Sequence, residues 1–592
     1  MAPVALSDNN TIQPNTKWDI NEKTITISEY IYLRIFQLGV KSIFGVPGDF
    51  NLNFLENIYK TPLNWIGCCN ELNAAYAADA YAKASKKMSV LLTTYGVGEL
   101  SAINGIAGSY CEFVPVLHLV GTSSLKMKQN KDVLNLHHLL SGKNNWEKSD
   151  HYIYEKVAQN FSIDSFSIED NEINAVKGID RVIESIWKEN RPGYIFLPCD
   201  LANMEVNSKW LDTPLNLEYP IGNLSRTDEI VELILQKIYS SKNVTAVIDD
   251  FVRKFRMEDV VSNLIEKFDG KVNLTNTTSA QGLIDSNNKR FMGVYCGKQE
   301  LEVAKIVEDS DFILHIGKFD HEMNNGFFSF ALDPKKTAVL HPKYAEINGE
   351  RIFDVTMMDI LPKILERLET TKVNESTKFE KPKLIYEQVE SDQSHPLTEV
   401  DLIKTLNNCL RPNDILIVET CSFLFGVPDI KFKNGAKVIT QSYWASIGYA
   451  LPATLGASLA LRDFNLPGKV ITVEGDGSAQ MSLQELSSMI RYNIEASLII
   501  LNNDGYTIER VIQGPNSSYN DINAQWQWTK LLSAFGDVTN EKTKSRTVNS
   551  REEIHKLFES DQFYNESKFQ LIELILPKFD VPHKLQQLFV KK

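Results

Sequence analysis

KVITVEGDGSAQMSLQELSSMIRYNIEASLIILNNDGYTIE, residues 469–509, decides the fold. An apolar run ends in Gly475-Asp476-Gly477-Ser478, a stretch of helical spacing follows, and a second apolar run ends in Asn502-Asn503-Asp504-Gly505. Strand, helix, strand is a βαβ unit, and strands so uniformly apolar need cover on both faces of a parallel sheet. Ligands of open parallel sheets gather at the carboxyl ends of the strands. The pattern therefore places Asp476 and Asn503 side by side, both as hard oxygen donors of the kind that magnesium shares with a diphosphate. The glycines let backbone groups approach closely, and Ser478 with the helix amino terminus behind it suits the diphosphate. A lone Gly-Asp-Gly is an ordinary turn. The second turn, one helix and one strand later, makes it a site signal.

The same alternation continues outward in both directions. KSIFGV, NWIGCC, MSVLLTT, VPVLHLV and YIFLP read as strands of a first unit, with SEYIYLRIFQL as a helix that Gly39 stops. VTAVID, KVNLTN, FILHIG and TAVLH form a second unit, and DILIVE, KVITQS, KVITVEG, SLIILNN and QLIELILP a third. Between the last two lies the polar stretch TKVNESTKFEKPKLIYEQVESDQSHP, which reads as a linker. The expected fold is α/β, with three successive doubly wound parallel-sheet domains at 1–204, 205–370 and 397–592 and a linker at 371–396.

Composition narrows the function classes. The 592 residues carry 62 bases against 76 acids, a net charge of −14, with no basic stripe, so a nucleic-acid partner is not expected. No apolar run reaches the ~18 residues of a membrane span. The opening MAPVALSDNNTIQPN lacks the order of a signal peptide. Seven cysteines without metal spacing fit small buried thiols in a reducing compartment. A cytoplasmic protein with no membrane contact is expected.

Gly475-Asp476-Gly477, with Asn503 standing 27 positions after Asp476, resembles the thiamine diphosphate motif. FGVPGDFNL, NELNAAYAADAYA, TTYGVGELSAINGIAGSYCE, the pair His137-His138 and NNDGYTIER narrow the resemblance to 2-oxo acid decarboxylases related to pyruvate decarboxylase. It runs from about residue 24 to residue 586 and is weakest in the middle third. RPGYIFLPCDLANMEV, YWASIGYALPATLGAS, VEGDGSAQMSLQELS and GPNSSYNDINAQWQWTKLLSAFGD look most like the branch that acts on transaminated amino acids such as phenylpyruvate.

The resemblance implies thiamine diphosphate and Mg²⁺ as cofactors, with Asp476, Asn503 and the carbonyl of Gly505 as metal ligands. It sets Glu71 against N1′ of the aminopyrimidine, and the backbone carbonyl of Ala445, where relatives usually have Gly, against the 4′-amino group. Ile447 becomes the wedge that bends the cofactor. Gly477, Ser478 and the Ser422 hydroxyl belong to the diphosphate side. Asp49, His137, His138 and Glu509 resemble the acid–base set, and groups that exchange protons near neutral pH suit such work. Taken singly, each has a plainer reading: a turn residue, a solvated loop, a first-turn helix acid.

Departures from the pattern fall at Cys421 and Phe423-Leu424, beside the expected pocket, and at Phe251-Val252, near where some relatives carry a regulatory cysteine pair. The resemblance further implies a homodimer in which each active site joins the amino-terminal domain of one subunit to the carboxy-terminal domain of another, with dimers of dimers common in the family it resembles. The expected activity converts an aromatic or bulky 2-oxo acid (phenylpyruvate, indolepyruvate, branched-chain) to an aldehyde and CO₂ in amino-acid catabolism. Three alternatives stand beside it: a pyruvate decarboxylase, a carboligase with or without flavin, and a non-catalytic sensor of thiamine diphosphate.

Overall fold

The βαβ unit at 469–509 forms as its pattern requires. Strands Val470–Gly475 and Ala496–Asn502 are parallel neighbours in the register Val470↔Ala496 through Gly475↔Leu501, so their carboxyl ends lie side by side. The computed structural model describes residues 23–130, 132, 135–144, 147–379 and 396–589. MAPVALSDNNTIQPN and all but the two ends of the expected linker lie outside the described residues.

Three sheets succeed one another along the chain. In the first, the order is Asn64–Gly67, Ser42–Gly45, Ser89–Thr94, Val116–Thr122, Gly193–Pro198, Ser165–Ser167, and every pairing is parallel. The third runs Lys437–Ile439, Ile415–Val418, Val470–Gly475, Ala496–Asn502, Phe569–Ile575, Thr543–Val548, again parallel throughout.

The second sheet departs from expectation at one edge. Its first five strands, from Phe291–Val294 to Thr337–His341, are parallel, but Tyr344–Ile347 and Glu350–Ile352 continue as an antiparallel meander. The cause is local. Asn348 and Gly349 both adopt positive φ, 52° and 85°, the backbone of a tight hairpin turn for which Asn-Gly is the preferred pair. A small antiparallel pair, Thr24–Thr26 with Glu205–Asn207, completes the sheets found among the described residues.

Contacts group the described residues into two compact units. One holds those up to Glu218 together with Leu455–Leu466; the other holds Tyr219–Thr454 and everything from Pro467 onward. Within the first, helix Ile27–Gln37 begins in a Thr26–Glu29 capping box and stops before Gly39, whose φ is 84°. Helices Glu71–Ser85 and Val97–Cys111 pack through small residues, and a Cβ on Gly105 would come within 2.5 Å of that of Ala75. This close packing is the physical use of the alanine-rich NELNAAYAADAYA segment. Ile43, Val90, Leu92, Leu117, Leu119 and Ile195 anchor the first unit's core. Leu416, Ile471, Val473, Ile499, Leu501 and Ile572 do the same under the third sheet, each contributing about 1.5–3 kcal/mol by burial.

Of the seven cysteines only Cys296 is fully buried. Cys69 is exposed and the other five are intermediate, so uniformly buried thiols are not what the fold shows. Among the described residues no helix is long and apolar enough to cross a membrane.

Candidate active site

In the first unit, Asp49, Glu71 and the histidine pair all follow carboxyl ends of parallel strands. Asp49 lies just beyond Ser42–Gly45, and its Oδ2 stands 2.6 Å from His137 Nε2, while Oδ1 is 3.7 Å from His138 Nε2. The three ligand-bearing atoms lie within 4.8 Å of one another. The set is open to solvent: the Asp49 and His137 side chains are 53% and 56% exposed.

Backbone contacts fix this loop. His138 takes φ +69°, and a Cβ on Gly96 would strike the His138 carbonyl oxygen at 2.3 Å, so the glycine of TTYGVGE leaves room for the histidine's backbone. Tyr95 Oη donates to the His137 carbonyl at 2.8 Å, and Tyr154 Oη donates to that of His138 at 2.7 Å. Phe50 packs on the His137 ring with centroids 5.0 Å apart. Tyr95, Tyr154 and Phe50 escaped the sequence reading. No spacing rule marks them, because they act on backbone and ring faces brought in from distant segments.

Glu71 opens helix Glu71–Ser85, and the Asn70 side chain caps that helix by accepting from Asn73 N at 2.8 Å. The Glu71 carboxylate lies over the first turn of Val97–Cys111. A Cβ on Gly98 would meet Glu71 Oε1 at 2.9 Å, so glycine gives the carboxylate its space.

The second unit holds the other predicted residues. Asp476 is fully buried at the end of Val470–Gly475. Its Oδ1 accepts from Gly477 N at 2.8 Å and its Oδ2 from Gly505 N at 3.1 Å. Burial pushes its carboxyl up to about 7, an effect that these amides partly offset. Asn503 Oδ1 is buried with no hydrogen-bond partner among the described residues, and so is Thr420 Oγ1. A cavity of about 130 Å³ is lined by Thr420, Cys421, Ser422, Ile447, Gly477, Ser478, Asn503, Gly505, Tyr506 and Glu509, among others. A buried carboxylate beside an orphaned amide oxygen fits a hard divalent cation. Gly477 fits a close-approaching ligand as well, since a Cβ there would meet the Tyr506 ring at 2.7 Å. The residues present therefore suit magnesium and a diphosphate.

Arg510 shapes this half. Fully buried, it donates from Nη1 to the Asn503 carbonyl at 3.1 Å and from Nη2 to the carbonyls of Asp504 and Asn520, and it pairs with Asp521 at 3.1 Å. One guanidinium thus ties the backbone at 503–504 to that at 520. The signal was present in NNDGYTIER, but charge alone does not reveal a clamp.

Several residues that the sequence singled out show features it did not reveal. Ala445 sits at φ +56°, a left-handed backbone that costs a non-glycine residue about 1 kcal/mol. Ser422 Oγ donates to the buried Glu399 at 2.5 Å, so its proton points away from a diphosphate unless the hydroxyl turns. Phe423 and Leu424 turn into the hydrophobic core, and of the three departures at 421–424 only Cys421 lines the cavity. Ile447 is partly exposed and lines the same cavity.

Comparison with known proteins agrees with this geometry. Three thiamine pyrophosphate enzyme profiles match: the N-terminal TPP binding domain at residues 25–143, the central domain at 231–368 and the C-terminal TPP binding domain at 421–574. A transaminated amino acid decarboxylase of Saccharomyces cerevisiae is 37% identical over 95% of this chain and 94% of its own length. A pyruvate decarboxylase of Kluyveromyces lactis is 37% identical, and pyruvate decarboxylase isozyme 1 of S. cerevisiae 36%, each over 95% of this chain and 97% of the relative.

Proposed function

Because the chain belongs to the thiamine pyrophosphate-dependent 2-oxo acid decarboxylases, we propose that it converts aromatic or bulky 2-oxo acids to an aldehyde and CO₂. Phenylpyruvate leads, followed by indolepyruvate and branched-chain oxo acids, in the cytoplasmic catabolism of amino acids. The observation that carries the decarboxylase reading is the joint presence of the Asp49–His137–His138 cluster, Glu509 and the buried Asp476–Asn503 pair. Similarity to the transaminated amino acid decarboxylase supports a 2-oxo acid derived from an amino acid. Pyruvate is the second reading, supported by the equally similar pyruvate decarboxylases.

We assign the pyrimidine side of the cofactor to domain 1–204 and the diphosphate side to domain 397–592, with 205–370 between them and 371–396 as linker. Asp476, Asn503 and the Gly505 carbonyl would hold Mg²⁺, with Gly477, Ser478 and Ser422 on the diphosphate. Glu71 would face N1′ of the aminopyrimidine, the Ala445 carbonyl its 4′-amino group, and Ile447 would support the bend between the rings. When bound, thiamine diphosphate supplies the carbon nucleophile for the 2-oxo carbon and takes up the electrons released with CO₂.

The chain's own groups manage protons and water. Asp49 Oδ2 lies 2.6 Å from His137 Nε2, a contact that orients the imidazole for proton transfer to a reacting carbon. His138, farther from Asp49, is the looser partner and suits proton removal from a hydroxyl. Glu509, on the first turn of helix Thr507–Ile512 and lining the cavity, is placed to exchange a proton with a bound carboxylate or hydroxyl. The assembly we propose is a homodimer in which each site combines the two halves from different subunits.

Steady-state aldehyde and CO₂ release by the protein loaded with thiamine diphosphate and Mg²⁺ tests the substrate assignment. We expect kcat/KM at least tenfold higher for phenylpyruvate than for pyruvate. The reverse ranking would give the site to pyruvate.

A further inference from the structure

Ligands of parallel sheets gather at the carboxyl ends of the strands, and at those ends the second sheet grips a piece of its own chain. Strand Val244–Ile248 is the parallel neighbour of both Asn273–Asn276 and Phe312–Ile316. The loops that follow the two neighbours meet Ser442-Tyr443, the residues just before Trp444 and Ala445. All of these residues belong to the second unit.

A buried carboxylate organises the grip. Asp249, 1% exposed, follows Val244–Ile248. Its Oδ1 accepts from Thr277 Oγ1 at 2.7 Å and from Asn324 Nδ2 at 2.8 Å, and its Oδ2 accepts from Phe319 N at 3.0 Å. Asn324 Oδ1 in turn accepts from Ser279 N at 2.8 Å. Both neighbouring loops are therefore fixed to one group. From these loops, Ser279 Oγ shares a hydrogen bond with Ser442 Oγ at 3.1 Å. The His321 ring stacks on Tyr443 with centroids 5.0 Å apart and 26° between the planes, and Phe319 meets the same ring edge-on at 5.9 Å. Phe251, one of the sequence departures, packs against Phe319 with centroids 4.8 Å apart.

The gripped residues lie inside a turn that needs support. Ala445 is left-handed at φ +56°, and a non-glycine residue keeps such a backbone only where its surroundings over-determine it. Gln441 supplies one constraint: its carbonyl accepts from Ala445 N at 2.9 Å and its Oε1 from Ser446 N at 3.2 Å. Ser442 and Tyr443 stand between those anchors, so holding their side chains closes the turn from outside.

We propose that Ser279, Phe319 and His321 are positioning residues for the cofactor: by gripping Ser442 and Tyr443 they preset the Ala445 carbonyl and Ile447. The work of the second sheet is then to hold the cofactor's cradle. The grip bears on catalysis because Ala445 and Ile447 are assigned to thiamine diphosphate, so the proposal rests on that reading.

Hydrogen exchange and equilibrium dialysis with the full-length protein test it. Tyr443→Ala and His321→Ala are each expected to quicken exchange across 441–448 in the cofactor-free protein. Each should weaken thiamine diphosphate at saturating Mg²⁺ by at least about threefold, the scale of one aromatic pair, and lower kcat as much. KM for the 2-oxo acid should hold within about twofold, with cooperative thermal melts. Tyr443→Phe keeps the ring and should match the wild type within about twofold. The double variant should lose no more than the worse single variant, because both rings serve one contact. Unchanged exchange in both alanine variants, quickened exchange with affinity and kcat unchanged, losses that multiply in the double variant, or a Tyr443→Phe loss equal to that of Tyr443→Ala would overturn the proposal. A wild-type protein that fails to bind thiamine diphosphate would overturn the cofactor assignment, and the proposal with it.

Discussion

The two halves of the site differ in how much each is finished on its own. On the diphosphate side, Asp476 is fully buried, the metal loop is clamped by Arg510, and two buried polar atoms await partners. On the pyrimidine side, Asp49 and His137 are more than half exposed, and the histidines are held by hydrogen bonds to their carbonyls from Tyr95 and Tyr154, by Asp49 and by the Phe50 ring. One half is a socket preformed for ions. The other is an open set of proton-exchanging groups that needs an enclosing surface before it can exclude water. The difference teaches that binding and proton transfer are prepared separately here, which fits a site assembled from two subunits.

Breaking the socket should have the largest effect. Asp476→Ala removes the buried carboxylate that we assign to Mg²⁺, and we expect kcat/KM to fall by about 10³-fold or more with a matching loss of Mg²⁺-dependent cofactor binding. Equilibrium dialysis with thiamine diphosphate checks the second part. Asp49→Asn should act differently. Cofactor affinity should hold within about threefold while kcat drops by about 10²–10⁴-fold, the range of general acid–base catalysis. Unchanged cofactor affinity and an unchanged thermal melt beside the fallen kcat separate a proton-transfer role from a structural one.

Much of this contrast was legible in the sequence, and unequally so. The Gly475–Ser478 and Asn502–Gly505 turns could be read because metal binding needs particular residue types at strand ends, and the period of βαβ units fixes where those ends fall. The strands of all three sheets were visible as apolar runs, with short edge strands such as Ser165–Ser167 and Thr543–Val548 missed because edges bury less. The Asn348-Gly349 hairpin was written in the sequence and overlooked. Asp49 and the histidines were identifiable through resemblance, but their 2.6 Å contact spans 88 positions, and no periodicity carries that. Arg510 and the tyrosines were hidden for the same reason, since each serves a backbone atom whose position exists only after folding.

The halves should also answer pH in opposite senses in the metal-free protein. Burial holds the His118 imidazole, in strand Val116–Thr122, down at about 3. Below pH ~6.5 the unfolded chain takes a proton that the folded one refuses, so stability falls between ~6.5 and ~3 by up to about 1.4 kcal/mol per pH unit. Burial pushes Glu419, which follows strand Ile415–Val418, up to about 7. There the folded chain keeps a proton that the unfolded one releases above ~4.3, so stability falls as pH rises toward 7 and returns on acidification. Between pH 7 and pH 5, hydrogen exchange corrected for intrinsic rates should quicken in Val116–Thr122 and slow in Ile415–Val418. His118→Gln and Glu419→Gln should each remove one response.

The smallest expected effect sharpens the socket. Ala445→Gly relieves the left-handed backbone at φ +56° and should change stability by no more than about 1 kcal/mol, in the stabilising direction, with kcat within about twofold. A chemical-denaturation midpoint resolves it.

Subunit complementation tests the central claim most directly. Glu71→Gln and Asp476→Ala chains, each inactive alone, are co-expressed with different tags and the mixed species purified. If each site takes Glu71 from one subunit and Asp476 from the other, every mixed dimer keeps one intact site. A randomly assorted pool then recovers about a quarter of wild-type activity, and the isolated mixed dimer about half. Mixed dimers that form but show no activity above either parent would contradict the account.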